Sequence, residues 1–303
     1  MSFFKKNKIE TLSSLSKDYS ALGFLLPSII ILLFIGIFPL IYSLYMGFHQ
    51  YYFTKPSIPF KLIWFSNYWK LLTDLSFWKS LLISFVYTVA GVSLQLIFGL
   101  GLALALINEI KGRTIFRTLI LIPMVVSPMV VGMIGKYATD DSVGIIGIVL
   151  RTLHLPNIVW FANPHLSLFS MIMLDVWQWT PFTFLIILAG LMAVPKDIIE
   201  SAKIDGAGYF QELRYMILPV IRPIIFLALI LRVIDSFKDF DKIWMITRGG
   251  PNYTTDVLMV NNFRIAFKDF NTGLASAFSW LVLIIFIIIG NFLVRQIRRE
   301  NTT

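Results

Sequence analysis

Long apolar runs separated by shorter polar stretches recur from one end of the chain to the other. They fall at about Ala21 to Phe48, Leu81 to Ile107, Ile115 to Gly135, Leu166 to Ala193, Ile217 to Ser236 and Leu274 to Val294. A bilayer core of roughly 30 Å needs about 20 apolar residues at 1.5 Å rise per residue, and each run reaches that length. A membrane barrel would show short alternating segments instead, so the spans are predicted to be helices. The pattern therefore predicts an all-α integral membrane protein with six transmembrane helices. Pro27, Pro39, Pro123, Pro128 and Pro181 interrupt these runs, which membrane helices tolerate where neighbours or water satisfy the freed carbonyls. The first run is too long for a signal-peptide core and lacks a clear cleavage site, so it is read as a retained span.

Composition sharpens this picture. The 303 residues are 57% hydrophobic and 14% charged, too much apolar surface for a water-soluble core of ordinary make-up. The net charge of +9 raises the question of nucleic acid. Lys and Arg are spread between and at the ends of the apolar runs, however, which suits anchoring at a lipid surface and not a nucleic-acid face. The absence of Cys removes disulfides, thiolate metal sites and cysteine nucleophiles. His49, His154 and His165 are scattered and show no metal-ligand spacing. No carboxylate pair or nucleophile–His arrangement suggests an enzyme. There is no G-x-x-x-x-G-K-[ST] phosphate cradle, since the Gly135-Lys136 pair is followed by Tyr137, so ATP would have to be bound by another polypeptide.

Dense basic clusters set the expected orientation. Lys111-Gly-Arg113 to Arg117, the loop from Lys196 to Arg222 and the tail with Arg295, Arg298 and Arg299 all fall on the same side as the N-terminus. The positive-inside tendency then places both termini in the cytoplasm and the connections 49–78, 136–165 and 237–273 outside. Trp64, Trp69, Trp78 and Trp160 lie in those outer connections and fit interfacial belts. The expected organisation is a cytoplasmic tail over 1–20, a six-helix transmembrane domain over 21–297 and a cytoplasmic tail over 298–303.

The loop at 195–219 is polar and amphipathic in an otherwise apolar chain. Asp197 and Glu200 suit the first turn of a helix. Gly206 and Gly208 offer places where the backbone can take a positive φ, so a helix–turn–helix hairpin is the natural reading. On physics alone, an amphipathic helix lying in the membrane interface satisfies the same pattern. The stretch from Glu200 to Pro219 resembles the EAA loop of permease subunits of bacterial ABC importers, whose pattern is Glu-Ala-Ala-x3-Gly-x9-Ile-x-Leu-Pro. Glu200, Ala202, Gly206, Leu218 and Pro219 fall in register, with Ser201 and Met216 as similar-sized departures. The resemblance runs from about Ala21 to the end. Leu26-Pro27, Phe38-Pro39, Leu188-Ala-Gly-Leu191, Val194-Pro195, Phe237 with Phe240-Asp241, Thr247-Arg-Gly-Gly-Pro251 and Gly273-Leu-Ala-Ser-Ala277 resemble the carbohydrate-uptake branch, the maltose-permease and glycerol-phosphate-permease relatives.

That resemblance implies a type I importer permease fold with a cytoplasmic coupling helix, in a bacterial inner membrane. It implies that Glu200, Ala202, Asp205, Gly206 and Ala207 contact an ATPase subunit. It also implies a second permease subunit, two ATPase subunits carrying ATP and Mg, an external sugar-binding protein and a sugar substrate, with no cofactor on this chain.

Charged groups inside a bilayer are costly and mark candidate sites. Arg232 and Asp235 lie three residues apart and can neutralise one another. With Ser236 and Asp239 they form a stripe at i, i+3, i+4 and i+7, predicted to share one helix face. Asp175-Val-Trp177-Gln178-Trp179-Thr-Pro181-Phe182 forms a second cluster beside a proline. Rings with amide and carboxylate groups suit a polyhydroxylated ligand. The resemblance assigns the sugar site to Gln178, Trp179, Phe182, Arg232, Asp235, Ser236 and Asp239. The competing reading is a structural Arg232–Asp235 pair locking this subunit to its partner, with Trp177 and Trp179 packed between helices. Two other functions stay open at this stage: a secondary transporter driven by an ion gradient with Asp175, Arg232 and Asp235 as coupling charges, and an ABC importer of a polyol, glycerol phosphate or phosphodiester.

Overall fold

The computed structural model describes residues 25–300 except 56, 108–111, 141, 157, 196, 198–199 and 201–205. Its contacts divide into two compact units, Met1–Leu71 with Phe270–Trp280, and Leu72–Asp269 with Leu281–Thr303.

In the first unit, α1 spans Leu25–Gly47 and is wound as a π-helix over Leu33–Ile37. Pro39 follows at once. It has no N–H to give to the preceding turn, and a wider turn there absorbs the missing bond. A two-stranded pair, β1 (His49–Gln50) and β2 (Lys61–Leu62), aligns His49 with Leu62 and Gln50 with Lys61. Helix α2 (Ser66–Thr73) sends Asn67 Nδ2 back to the Gly47 and His49 carbonyls at 2.9 and 3.0 Å. That side chain closes the end of α1 that would otherwise leave carbonyls unpaired.

In the second unit, α3 (Leu75–Leu106) is the longest helix, about 48 Å at 1.5 Å per residue. Asp74 caps its start, accepting from Ser76 N at 2.9 Å. Its partner is α7 (Ser167–Met192). Gly91, Gln95, Gly99 and Ala103 form a buried stripe at every fourth position of α3. A Cβ on Gly91 would meet Asp175 Oδ2 at 3.2 Å, and one on Gly99 would meet Phe184 N at 3.0 Å. Eight residues along α3 therefore match about nine along α7, so the two helices run parallel in close contact, with small residues letting the backbones approach.

The third apolar run departs from the expectation of a single crossing. It forms α4 (Arg113–Val125) and α5 (Pro128–Ala138), bent by 99° to each other. Pro128 disfavours helical geometry at the residue before it, and Val126 and Ser127 are extended with ψ 134 and 137. A short helix α6 (Ile145–Thr152) follows. The fifth run forms α8 (Leu218–Phe237), which continues without a gap from Tyr209–Gln211 and a π-helical segment Glu212–Ile217. Pro219 follows that π segment as Pro39 follows the one in α1. Beyond Phe237 come α9 (Asp241–Ile246) and α10 (Leu258–Phe267). The last helix, α11, spans Thr272–Glu300. Among the described residues, five helices are long and apolar enough to cross a membrane, and six if the bent pair counts as one.

Two apolar clusters hold the second unit. One joins Ala103 and Leu106 of α3 to Phe184, Ile187, Leu188 and Leu191 of α7 and Ile221 of α8. The other joins Tyr87 of α3 to Met171, Ile172 and Val176 of α7, Ile243 of α9 and Val260 of α10. A layer of polar residues lies between them.

Candidate translocation site and its charged layer

The layer is built around Asp175 of α7, which is fully buried. Its Oδ1 faces Lys242 Nζ at 2.5 Å. Its Oδ2 accepts from Gln95 Nε2 at 2.7 Å and lies 3.6 Å from Arg232 Nη2. Gln95 also accepts from Arg232 Nε at 2.8 Å. Lys242 reaches a second carboxylate, Asp239, at 2.7 Å, and Tyr87 donates its hydroxyl to that carboxylate at 2.6 Å. Two carboxylates thus balance two cations. A buried ion pair is tolerable only when geometry and extra hydrogen bonds answer the lost hydration, and here each acid has a cation and a neutral donor.

The layer also repairs the broken span. The extended geometry at Val126 frees its carbonyl, and Gln178 Nε2 donates to it at 3.2 Å. The same amide's Oε1 accepts from Lys242 at 3.2 Å. On α7, Pro181 removes one donor from the helix, while Thr180 and Thr183 hydroxyls bond the Val176, Gln95 and Thr180 carbonyls.

The seven expected sugar-site residues separate by exposure. Gln178, Arg232 and Ser236 are buried, and Asp239 is nearly so. Trp179 and Phe182 are half-buried, with ring centroids 6.2 Å apart. The Arg232 guanidinium sits over the Trp179 ring at 4.5 Å. Asp235 is 50% exposed. The predicted single face for Arg232, Asp235, Ser236 and Asp239 is not what forms: α8 ends at Phe237, so Asp239 lies in the bend before α9, and Asp235 sits at the edge of the buried group, half exposed. Arg232 is likewise not neutralised mainly by Asp235, which stands 3.9 Å away and also pairs with Lys238 at 3.3 Å. Its closer partners are Gln95 and Asp175.

Lys242, Gln95 and Tyr87 were missed from sequence. Lys242 lay in a presumed outer connection, and only the bend at 238–240 returns it to the layer. For Gln95 a signal existed, because an amide midway between Gly91 and Gly99 at helical spacing marks a close-packed face.

In the loop at 195–219, Gly206 takes φ +78 and a Cβ there would meet nothing within 4 Å. Gly208 does not share the expected positive φ. It sits at φ −75, ψ 161, because it starts the next helix, with its N–H held by Gln211 Oε1 at 2.9 Å. Glu200 is exposed and Ala207 half-buried. Ala202 and Asp205 lie outside the described residues. Tyr209, Phe210 and Tyr215 follow the turn and are all exposed.

At the other end of the second unit, Asp256 and Arg264 form a two-pronged pair at 2.5 and 3.1 Å. Burial pushes the Asp256 carboxyl above its ordinary range, against the opposing pull of Arg264. The Thr247-Arg-Gly-Gly-Pro251 motif supports this pair. A Cβ on Gly249 would meet Asp256 Oδ1 at 2.7 Å and Arg264 Nη2 at 3.0 Å. Thr255 Oγ1 donates to the Gly250 carbonyl at 2.6 Å. The motif makes the expected turn, with Gly250 N bonded to Thr247 O at 2.9 Å.

Residues 95–300 match the family described as the binding-protein-dependent transport system inner membrane component. The probable ABC transporter permease protein y4oQ of Sinorhizobium fredii is 36% identical over 91% of this chain and 89% of its own. The trehalose/maltose transport system permease protein MalF of Thermococcus litoralis is 32% identical over 92% of this chain and 94% of its own. Among solved structures, a bacterial alginate ABC transporter in complex with alginate pentasaccharide-bound periplasmic protein superposes with a TM-score of 0.84 at 22% identity, covering 96% and 98% of the two chains. That likeness gives the fold, which is that of type I importer permeases.

Proposed function

Because the chain belongs to the family of binding-protein-dependent transport inner membrane components and is a permease subunit of an ABC importer, we propose that it carries a sugar or sugar derivative. The observation that carries this reading is likeness over nine-tenths of the chain to a permease named for trehalose and maltose. In this conformation the half-buried rings of Trp179 and Phe182 and the exposed carboxylate of Asp235 offer the sugar contacts. Gln178, Arg232, Ser236 and Asp239 hold those groups in place from behind.

ATP and Mg are bound by two separate ATPase subunits, while a second permease supplies the other half of the pathway. Both termini face the cytoplasm. The loop of Glu200, Ala202, Asp205, Gly206 and Ala207 transmits ATPase closure, and the exposed rings of Tyr209, Phe210 and Tyr215 give the ATPase an apolar surface next to it. Closure switches the helices from inward-facing to outward-facing, where an external binding protein delivers the sugar.

The test is purification of the tagged chain from its membrane with everything bound, followed by uptake of labelled trehalose and maltose in vesicles. Recovery of an ATPase and a second permease with ATP-dependent uptake supports the reading. A chain that comes out alone and moves solute on an ion gradient overturns it. Gly206→Val separates coupling from folding, since its side chain meets open space and only the left-handed backbone resists, at about 1–2 kcal/mol. Uptake should fall sharply with insertion intact, whereas unchanged uptake would remove the loop from the mechanism.

A further inference from the structure

A cavity lined by both apolar and charged groups lies away from the charged layer, at the end of the unit where α3 begins. It has a volume of about 380 Å³ and is lined by Ser76, Lys79, Ser80 and Ile83 of α3, Asn252 and Tyr253 of the loop, and the Asp256–Arg264 pair. That volume is in the range of small-ligand pockets, about 300–1,000 Å³. Asp256 is 3% exposed, and its oxygens are already taken by Arg264 and by Ser80 Oγ at 3.5 Å. What remains free toward the cavity is rich in donors: the exposed Lys79 ammonium, the other N–H groups of Arg264 and the Asn252 amide. Lys79 has no ion-pair partner among the described residues. The lining carries two cations against one acid, and it sits on the positive end of α3. Asp74, one turn before Lys79, is occupied with Ser76 N and Oγ at 2.9 and 2.7 Å.

The loop is shaped around this space. Asn252 and Tyr253 both take positive φ, 49 and 61, a conformation that Asn reaches readily but a bulky aromatic residue adopts rarely. It places the Tyr253 ring over Arg264 at 5.0 Å and leaves that ring 64% exposed, an aromatic wall for the C–H face of a sugar ring. A donor-rich, net-positive cavity with one aromatic wall and this volume suits a ring with a carboxylate better than a neutral sugar.

We propose that this outer cavity binds a sugar acid of monosaccharide size, with the carboxylate between Lys79 and Arg264 and the ring against Tyr253. The site is separate from the sugar contacts on α7 and α8.

The test uses the whole transporter complex in detergent, titrated calorimetrically with D-galacturonate and with D-galactose, which lacks the carboxylate. Galacturonate should bind more tightly than galactose, and added salt should weaken it. Lys79→Gln should weaken galacturonate about fivefold to tenfold and leave galactose unaffected, with Lys79→Arg retaining most of the affinity. Tyr253→Ala should weaken galacturonate without changing its salt dependence. Equal affinity for the two sugars, or galacturonate binding indifferent to Lys79→Gln, overturns the proposal. So does a Lys79→Gln effect confined to stimulation by the binding protein, which would make the cavity a socket for a protein carboxylate. ATP-dependent uptake by the unaltered complex is a separate readout, so failure of this site and failure of the importer reading are distinguishable.

Discussion

The layer around Asp175 and the Asp256–Arg264 pair use the same residue types in different surroundings. Around Asp175 the charged partners Arg232 and Lys242 are each about 1% exposed, and water is in no position to replace a missing one. At the Asp256–Arg264 pair Asp256 is just as hidden, but the Arg264 side chain is 24% exposed and opens on the cavity at the start of α3. An ion pair buried on both sides is a closed set of obligations, whereas one with a hydrated member can be partly repaired by solvent or by a proton. The layer should therefore be the more fragile of the two, although it has more bonds.

Lys242→Met is the sharpest way to break the comparison. It removes the cation shared by Asp175 and Asp239, leaving buried carboxylates without their main partner. Loss of one member of a buried pair costs about 3–5 kcal/mol, so the purified complex should melt far lower or fail to assemble. Adding Asp239→Leu restores charge balance, because Asp175 keeps Arg232, and should recover part of the loss. A single Lys242→Met variant with unaltered melting would show that water reaches the layer.

Packing around the layer gives the next largest effect. Gly99→Leu would force a side chain into Phe184 N and Thr183, separating α3 from α7 at the level of Gln95. Overpacking costs about 1–3 kcal/mol, and the effect should be shared between stability and uptake, since Gln95, a partner of Asp175, lies one turn away on α3. Gly101→Leu is the control: a Cβ there meets nothing within 4 Å, and melting should not change.

Arg264→Ala tests the hydrated side of the comparison. It leaves Asp256 buried with Ser80 as its remaining partner, at about 1–3 kcal/mol for an orphaned buried group. Here a proton can help. The Asp256 carboxyl is already raised by burial, and losing Arg264 raises it further. A carboxyl raised on folding favours the folded state as pH falls through its folded value, and that gain is complete below its unfolded value. The deficit of Arg264→Ala, measured by thermal melting, should thus shrink on acidification. A deficit constant with pH would mean that Asp256 is hydrated in the variant.

The fold was readable from sequence because length and apolarity are summed over whole helices, so single exceptions do not hide a span. The break in the third run was half visible. Pro128 announces that Ser127 must be extended, yet a 99° bend also needs a donor for the freed Val126 carbonyl, and that donor comes from Gln178, 52 residues away. The site was less legible for the same reason. Asp175, Gln178, Arg232 and Asp239 stand out as polar residues among apolar ones, but pairing them requires knowing where α8 stops. Counting turns straight through Phe237 puts Asp239 on the face of Arg232, while assigning 237–273 to an outer connection takes Lys242 out of the site. The loop at 195–219 was singled out by register alone, and of its two glycines the one with open space around it is the one that adopts the left-handed turn.

The smallest effect concerns the bond between the layer and the broken span. Gln178→Leu keeps the side-chain volume and removes both the donor to Val126 O and the acceptor for Lys242. Hydrogen bonds between membrane helices average about 0.6 kcal/mol, and Lys242 keeps its two carboxylates, so melting should drop only slightly. The geometry of the bend should respond more than its stability. With its carbonyl unanswered, the Val126–Pro128 joint has one tether fewer, and α5 is held to the rest through Gly132 against Lys242, where a Cβ would meet the Lys242 backbone at 3.1 and 3.2 Å. Amide exchange over 124–131 should therefore accelerate in Gln178→Leu while exchange in α3 and the rest of α7 stays as it was. If exchange at the joint is unchanged, Pro128 alone sets the bend, and Gln178 belongs to the charged layer without serving the broken span.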